Sequence, residues 1–313
     1  MRTSNSPLAD ILIHADWSVS PKKRWAASAV RRDGWTVISV APVGPTPAFV
    51  ESLVKAGAAR RVLAGFDFPI GLPRTYGDKT GETNFAAFLR VVGKGRWSRF
   101  ADIARDVGEV AVERPFYPAG STGGVTQAAL IAAHGETTFD ALRRRCERAT
   151  PTRRAACPIF WTLGGNQVGR GALSGWLEVV KPAQTAGARL WPFDGDLAEL
   201  LSEAGLVIAE TYPAEAYSHV GVRFGHAESK KNQQHRQAKA EAIFSWADQC
   251  GVTIDAQVRE RVNDGFGSGT SGEDQFDALL GLLGLIEVAD GRRAAQPGRT
   301  SDPWEGWIIG QAE

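Results

Sequence analysis

Residues 60–74, "RRVLAGFDFPIGLPR", run from two arginines through an apolar stretch to a carboxylate, Asp67, and then straight into Phe68 and Pro69. The apolar run has the length of a strand and is bounded by turn residues. Proline lacks the backbone donor that a sheet ladder needs, so Pro69 ends it. A buried strand has little use for an unpaired charge at its tip. Asp67 either caps a turn or meets a ligand.

Toward the N-terminus, residues 46–61, "TPAFVESLVKAGAARR", read as a helix over 47–59. Pro47 suits its first turn, and Phe49, Leu53 and Val54 recur at helical spacing. Before it, "KRWAASAVRRDGWTVISVAPV" (23–43) reads as a hairpin about Asp33-Gly34, a dipeptide that favours the tight hairpin turn. "ADILIHADWS" (9–18) reads as a first strand over about 10–16, ending in Asp16. The order strand, strand, strand, helix, strand makes the helix a crossover within one sheet.

Beyond Asp67 the periodicity fades. Residues 74–204 hold glycine-rich and arginine-rich stretches, with helices expected near 82–92, 97–107 and 137–149. Trp97, Phe116, Trp161 and Trp176 argue against disorder. The stretch reads as a large, mainly helical insertion in a single domain spanning 1–313. Regular signals return with "AGLVIAETYPAEAY" (204–217), a strand ending in Glu210. A polar helix over about 229–250, a flexible loop "GFGSGTSG", the helix "EDQFDALLGLLGLIEVA" (273–289) and a short strand "EGWIIG" follow.

Three strands thus end in an acid: Asp16, Asp67 and Glu210. In open α/β sheets, ligands bind beyond the carboxyl ends of the strands. The last helix adds Asp274 and Asp277, three apart and on one face. Asp277, Gly281 and Gly284 form a stripe that lets this helix lie close to another backbone. Taken singly, a strand-end acid more often caps a turn or a helix, and Glu273 and Asp274 suit a helix N-terminus. Brought together, these carboxylates repel one another. A hard cation such as Mg²⁺ or Mn²⁺ resolves the conflict, because it takes oxygen ligands. Two such ions roughly 3.5–4 Å apart activate water and stabilise the leaving oxygen in phosphodiester hydrolysis. Asp16, Asp67, Glu210 and Asp277 are therefore the candidate catalytic acids and metal ligands, with Asp274 in support. Lys230, Lys231 and Arg236 are candidates for holding phosphates; the competing reading is a solvated helix face.

Other chemistries find little footing. A net charge of +1 gives no global field for nucleic acid, so such a site would be local, as in "RRRCERATPTRR" (143–154). Cys146, Cys157 and Cys250 show no CxxC spacing and fit reduced thiols in a cytosolic protein. No apolar run reaches the ~20 residues of a membrane helix, and no signal-peptide core is expected. "LGGNQVGRG", with Arg170, lacks the GK[ST] of a P-loop. The five histidines show no zinc spacing. Strand alternation sends His14 to the same side as Asp16, where it reads as a packed residue.

"HADWS", "FDFPIGLP", "ETYPAEAY", "EDQFDALLG" and "EGWIIG" resemble the successive motifs of a family of predicted RNase H-like nucleases, a domain family of unknown function. "FWTLGGNQVGRGALSGW" and "ARLWPFDG" are similar to its longer members. The resemblance spreads over most of the chain and is weakest between about 75 and 155. It implies an RNase H-like fold: three antiparallel strands, a crossover helix, further strands parallel to the first, and a final helix carrying an acid. By that logic Asp16 matches the first-strand acid, Asp67 or Glu210 the later-strand acid, and Asp277 the helix acid. The implied activity is metal-dependent hydrolysis, with DNA or RNA as the partner.

Two rivals remain at this stage. An actin-like ATP-dependent phosphotransferase also places an Asp at the end of its first strand, but needs a duplicated domain, and no duplication is seen. A non-enzymatic binding module would use the acids only as caps, and would leave them far apart.

Overall fold

The computed structural model describes residues 8–120, 125–149, 155–163, 168–295 and 302–312. Parts of the two glycine-rich stretches (121–124 and 164–167) and of the basic cluster (150–154) lie outside the described residues.

Seven strands form one mixed sheet: β1 Ile11–Asp16, β2 Trp25–Arg31, β3 Trp35–Pro42, β4 Arg61–Phe66, β5 Arg189–Leu190, β6 Gly205–Glu210 and β7 Thr253–Ile254. Their spatial order is β5-β6-β4-β1-β2-β3-β7. The β1–β2–β3 meander is antiparallel. β4 lies parallel to β1, and β6 parallel to β4. The helix Thr46–Gly57 carries the chain from β3 across to β4, as its position in the sequence requires.

Both faces of the sheet are covered. Alternation sends Leu12, Leu63 and Val207 to one face, where they pack with the final helix Gly272–Ala289 and the helix Ala240–Cys250. It sends Val62, Ala64, Phe66 and Ile208 to the other face, against the crossover helix and much of residues 68–197. Each fully buried Leu, Val or Phe contributes roughly 1.5–3 kcal/mol relative to exposure. Sheet burial on both faces explains why β4 and β6 read as unbroken apolar runs.

Within 74–204 the described chain forms short helices, among them Arg74–Thr80, Phe85–Val91 and Gln127–Ala133. A longer helical stretch runs through Val168–Gly175, a π-turn at Trp176–Val180 and Lys181–Thr185. β5 also falls in this stretch and extends the sheet beside β6. The helices expected near 97–107 and 137–149 differ. The first is a 3₁₀ turn, Gly95–Arg99, followed by irregular chain, with Gly95 at a positive φ of 49°. The second is two 3₁₀ turns, Phe139–Leu142 and Arg145–Glu147. The polar helix expected over 229–250 is two, Gln233–Gln237 and Ala240–Cys250.

Residues 68–73 turn inward and are buried. Gly71 takes φ 139°, and a Cβ there would stand 2.4 Å from the Glu305 carbonyl, so only glycine fits. Leu72 N–H donates to Trp304 O at 2.8 Å and Phe85 N–H to Pro303 O at 2.8 Å. "EGWIIG" contributes a single bridge, Ile308 beside Glu210, rather than a strand.

Candidate functional site

The β1–β4 register pairs Ala15 with Phe66, so the next residues, Asp16 and Asp67, leave the sheet side by side. Asp67 is tied to the tip of β1: its N–H donates to Ala15 O at 3.4 Å, and its Oδ1 accepts from Trp17 N–H at 2.6 Å. Trp17 is itself fixed. Its indole donates to Ser174 Oγ at 3.1 Å, and the Arg24 guanidinium lies 4.0 Å over its ring. Arg24 in turn reaches Glu178 at 2.6 Å. The crowded end of β1 is thus braced by the helical stretch that begins at Val168.

Asp277 comes from the final helix, on the face of the sheet that Asp16 also faces. The glycine stripe makes the approach possible. A Cβ on Gly281 would lie 2.2 Å from the His14 ring, and one on Gly284 would lie 2.7 Å from Ala216. His14 is fully buried, with Nδ1 3.0 Å from Ala278 O. Burial lowers its pKa to about 4, so it is a neutral packing residue at physiological pH.

Burial holds the Asp16 carboxyl well above the usual range, and the charges of Asp67, Asp277 and Asp274 push it further. Burial raises Asp67 to about 7, with the Trp17 N–H and a hydrogen bond to Asp16 pulling the other way. The two carboxyls are thus both held above the usual carboxylate range at neighbouring strand tips. Burial also raises Asp274 to about 6, and its Oδ2 is buried with no hydrogen-bond partner. Burial raises Asp277 too, against the pull of Lys230 and Tyr217. Tyr217 donates its hydroxyl to Asp277 Oδ1, and Lys230 Nζ stands 2.5 Å from Oδ2 and 3.2 Å from Glu273 Oε1.

Glu210 is not brought to this group. It pairs with Phe66 across β4–β6, so its side chain shares Phe66's face of the sheet and not that of Asp67. There its two oxygens accept from the fully buried Arg144 at 2.6 and 2.7 Å, and Oε2 also accepts from Ile70 N–H at 2.6 Å. Arg144 binds Glu147 as well, at 2.9 Å. The residue of β6's extension that faces the acids' side is Thr211, whose methyl group lies 2.5 Å from where a Cβ on Gly65 would be.

The basic candidates also separate. Lys230 enters the site, whereas Lys231 is exposed. Arg236 is buried and spends its donors on carbonyls, those of Gly265 at 2.8 Å, Gly267 at 2.7 Å and Lys230 at 2.5 Å. It shapes the loop that carries Lys230 and does not face a phosphate. Tyr217, Trp17 and Arg144 carry no sequence signal of their own. Tyr217 is detectable only as the last aromatic of "ETYPAEAY", one helical turn past Pro213.

The acid donors are all carboxylate oxygens, the set a hard divalent cation takes, and Asp274 Oδ2 has no hydrogen-bond partner. The donor chemistry suits such an ion. As they stand, no three His, Cys, Asp or Glu side chains among the described residues are grouped closely enough to hold a metal. Lys230 supplies the positive charge instead.

The fold and site define an α/β protein with a mixed sheet and a buried cluster of acids at the carboxyl ends of adjacent parallel strands. No family model matches the chain, and neither a curated protein nor a solved structure does. Among the described residues no helix is long and apolar enough to cross a membrane.

Proposed function

We propose that the chain is a metal-dependent phosphodiesterase or nuclease of RNase H-like type. The observation that carries this reading is the meeting of Asp16 and Asp67 at adjacent strand tips with Asp277 and Asp274 from the final helix, all with raised carboxyl pKa values. Carboxyl groups held together at a cost to their ionised form make a functional-site candidate. The strand order, with the first strand central and the antiparallel meander on one side, agrees with that fold type.

Asp16 and Asp67 would hold a Mg²⁺ or Mn²⁺ ion, with Asp274 drawn in as a further oxygen ligand. When bound, such an ion polarises a phosphoryl oxygen and lowers the pKa of its water. Both carboxyls are raised and would have to be ionised to act as ligands, so ion binding is expected to tighten as pH rises. Tyr217 fixes the orientation of Asp277. The Lys230 ammonium, on Asp277 and Glu273, would offset charge on the phosphate under attack.

The test uses purified protein with Mg²⁺ or Mn²⁺, bis(p-nitrophenyl) phosphate, and single- and double-stranded DNA and RNA oligonucleotides. Metal-dependent hydrolysis is expected, falling by at least about 10²-fold in Asp16→Asn and in Asp277→Asn. Undiminished cleavage in either variant, or no metal-induced shift in melting temperature, would sink the proposal. The oligonucleotide that is cut names the substrate class.

A further inference from the structure

We infer that Ser174 and Glu178, in the helical stretch that begins at Val168, are positioning residues that hold the Asp67 carboxylate in place through Trp17 and Arg24. The inference rests on the reading above that Asp67 serves the reaction, and it gives residues 74–204 a part in the site.

One short run of this helical stretch meets the neighbours of Asp67 on two sides. Across the strand tips, Trp17 N–H donates to Asp67 Oδ1 at 2.6 Å, and the Trp17 indole donates to Ser174 Oγ at 3.1 Å. Next along the chain from Asp67, the Phe68 ring packs against Gly175, where a Cβ would stand 2.3 Å from it. Pro69 O accepts from the Trp176 indole at 2.7 Å. Ser174, Gly175 and Trp176 are consecutive, so a shift of the helix would be felt at Trp17, Phe68 and Pro69 together. The run passes into the π-turn Trp176–Val180, a distortion that frequently accompanies functional sites.

The Ser174 hydroxyl is the junction. It accepts from the Trp17 indole and from Arg24 Nη2 at 2.8 Å, and it donates to Glu178 Oε1 at 3.0 Å. One donor and two lone pairs are all that a hydroxyl has. Glu178 thus takes the proton and leaves both lone pairs for Trp17 and Arg24. Glu178 also accepts from Arg24 Nη1 at 2.6 Å, and it is the one acid paired with this guanidinium among the described residues. Arg24 is buried, lies over the Trp17 ring and donates to the Ser18 carbonyl at 2.6 Å. It therefore fixes both the ring of Trp17 and the backbone beside it. Without Glu178 the buried cation loses its counter-charge, and the hydroxyl is free to turn away from the indole. The Trp17 backbone, and with it the Asp67 carboxylate, then loses its hold. The Glu178 side chain is itself 43% exposed, so it can be changed without opening the core.

The experiment compares the wild type with Ser174→Ala, Glu178→Ala and Glu178→Gln. Nuclear magnetic resonance reads the Trp17 amide proton, which is expected to move upfield in Ser174→Ala and Glu178→Ala and to exchange about 10-fold faster. The Val207 amide, buried in β6, is the internal reference and is expected to stay unchanged. In the hydrolysis assay the same two variants are expected to lose about 10–10²-fold in kcat with KM unchanged. Glu178→Gln, which keeps an acceptor for Arg24, is expected to recover part of that loss. A Trp17 amide that does not move in Glu178→Ala overturns the inference, and so does one whose exchange rises no more than that of Val207. A displaced Trp17 amide with unchanged kcat overturns it as well. A wild type without metal-dependent hydrolysis overturns the function reading instead, and the Trp17 amide then decides alone whether the network holds Asp67. If Glu178→Ala fails to fold, as judged by circular dichroism, Ser174→Ala decides on the same amide.

Discussion

Arg144 has no exposed surface and binds two carboxylates, Glu210 and Glu147, at 2.6–2.9 Å. Removing one partner of such a buried group leaves uncompensated charge, which costs about 3–5 kcal/mol. Arg144→Met is expected to lose that much in urea denaturation. Glu210→Gln should also weaken the fold, while the folded fraction keeps wild-type Mn²⁺ affinity. Loss of ion binding in a folded Glu210→Gln would show that Glu210 is a ligand after all. Asp16, Asp67 and Asp277 were legible in the sequence because each closes a run of apolar residues or a glycine stripe. Glu210 closes one too, and looked equivalent. What separates it from Asp67 is the β4–β6 register, which pairs it with Phe66. One residue of register turns a side chain to the other face, and no feature within either strand reveals it. Its partner Arg144 comes from 66 positions upstream, in a stretch whose arginines looked interchangeable.

At the scale of elements, the final helix sets how closely Asp277 approaches the strand tips. Gly281 has no room for a side chain, because its Cβ would stand 2.2 Å from the buried His14 ring. Gly281→Ala is expected to cost about 1–3 kcal/mol through overpacking and to weaken Mn²⁺ binding, since Asp277 lies one turn earlier on the same stripe. Gly171 is the control. It sits in the helix Val168–Gly175, and nothing lies within 4 Å of its would-be Cβ. Gly171→Ala should gain up to about 1 kcal/mol with unchanged ion binding. Equal losses in both variants would mean that the stripe has no special role. Long elements were readable: the hairpin, the crossover helix and the final helix all lie where pattern placed them. β5 and β7, two residues each, are too short to carry any period. The 137–149 segment has helix formers, but it turns to deliver Arg144 and Glu147 to the sheet, and two 3₁₀ turns do that where a continuous helix would not.

Across the whole molecule, residues 74–204 pack through aromatic layers, and His134 reports on the packing within that stretch. Its ring stacks on Phe160, 4.6 Å between centroids and 23° between planes, with Nε2 3.0 Å from Pro115 O. Burial lowers its pKa from 6.5 to about 4. The unfolded chain therefore takes up a proton near pH 6.5 that the folded protein refuses until about pH 4. The stabilising contribution is complete above the unfolded value and is lost as pH falls through this window. His134→Phe is expected to flatten that part of the urea-midpoint curve relative to the wild type. Parallel curves for the two proteins would show that His134 does not supply this part of the pH dependence.

The loop after Asp67 closes late for a geometric reason. Leu72 bonds to Trp304, Gly71 lies against the Glu305 carbonyl, and Ile309 N–H donates to Glu210 O at 2.9 Å. β4 and β6 are therefore finished by residues that a ribosome adds more than ninety positions after Glu210. During synthesis the acids at Asp16 and Asp67 are made early, and Pro69 and Ile70 of their flanking loop meet Trp176, Arg144 and Glu210, yet Gly71 and Leu72 gain their Glu305 and Trp304 neighbours only with the last described segment. A growing chain therefore lacks one wall of the turn beside Asp67 until these residues have emerged.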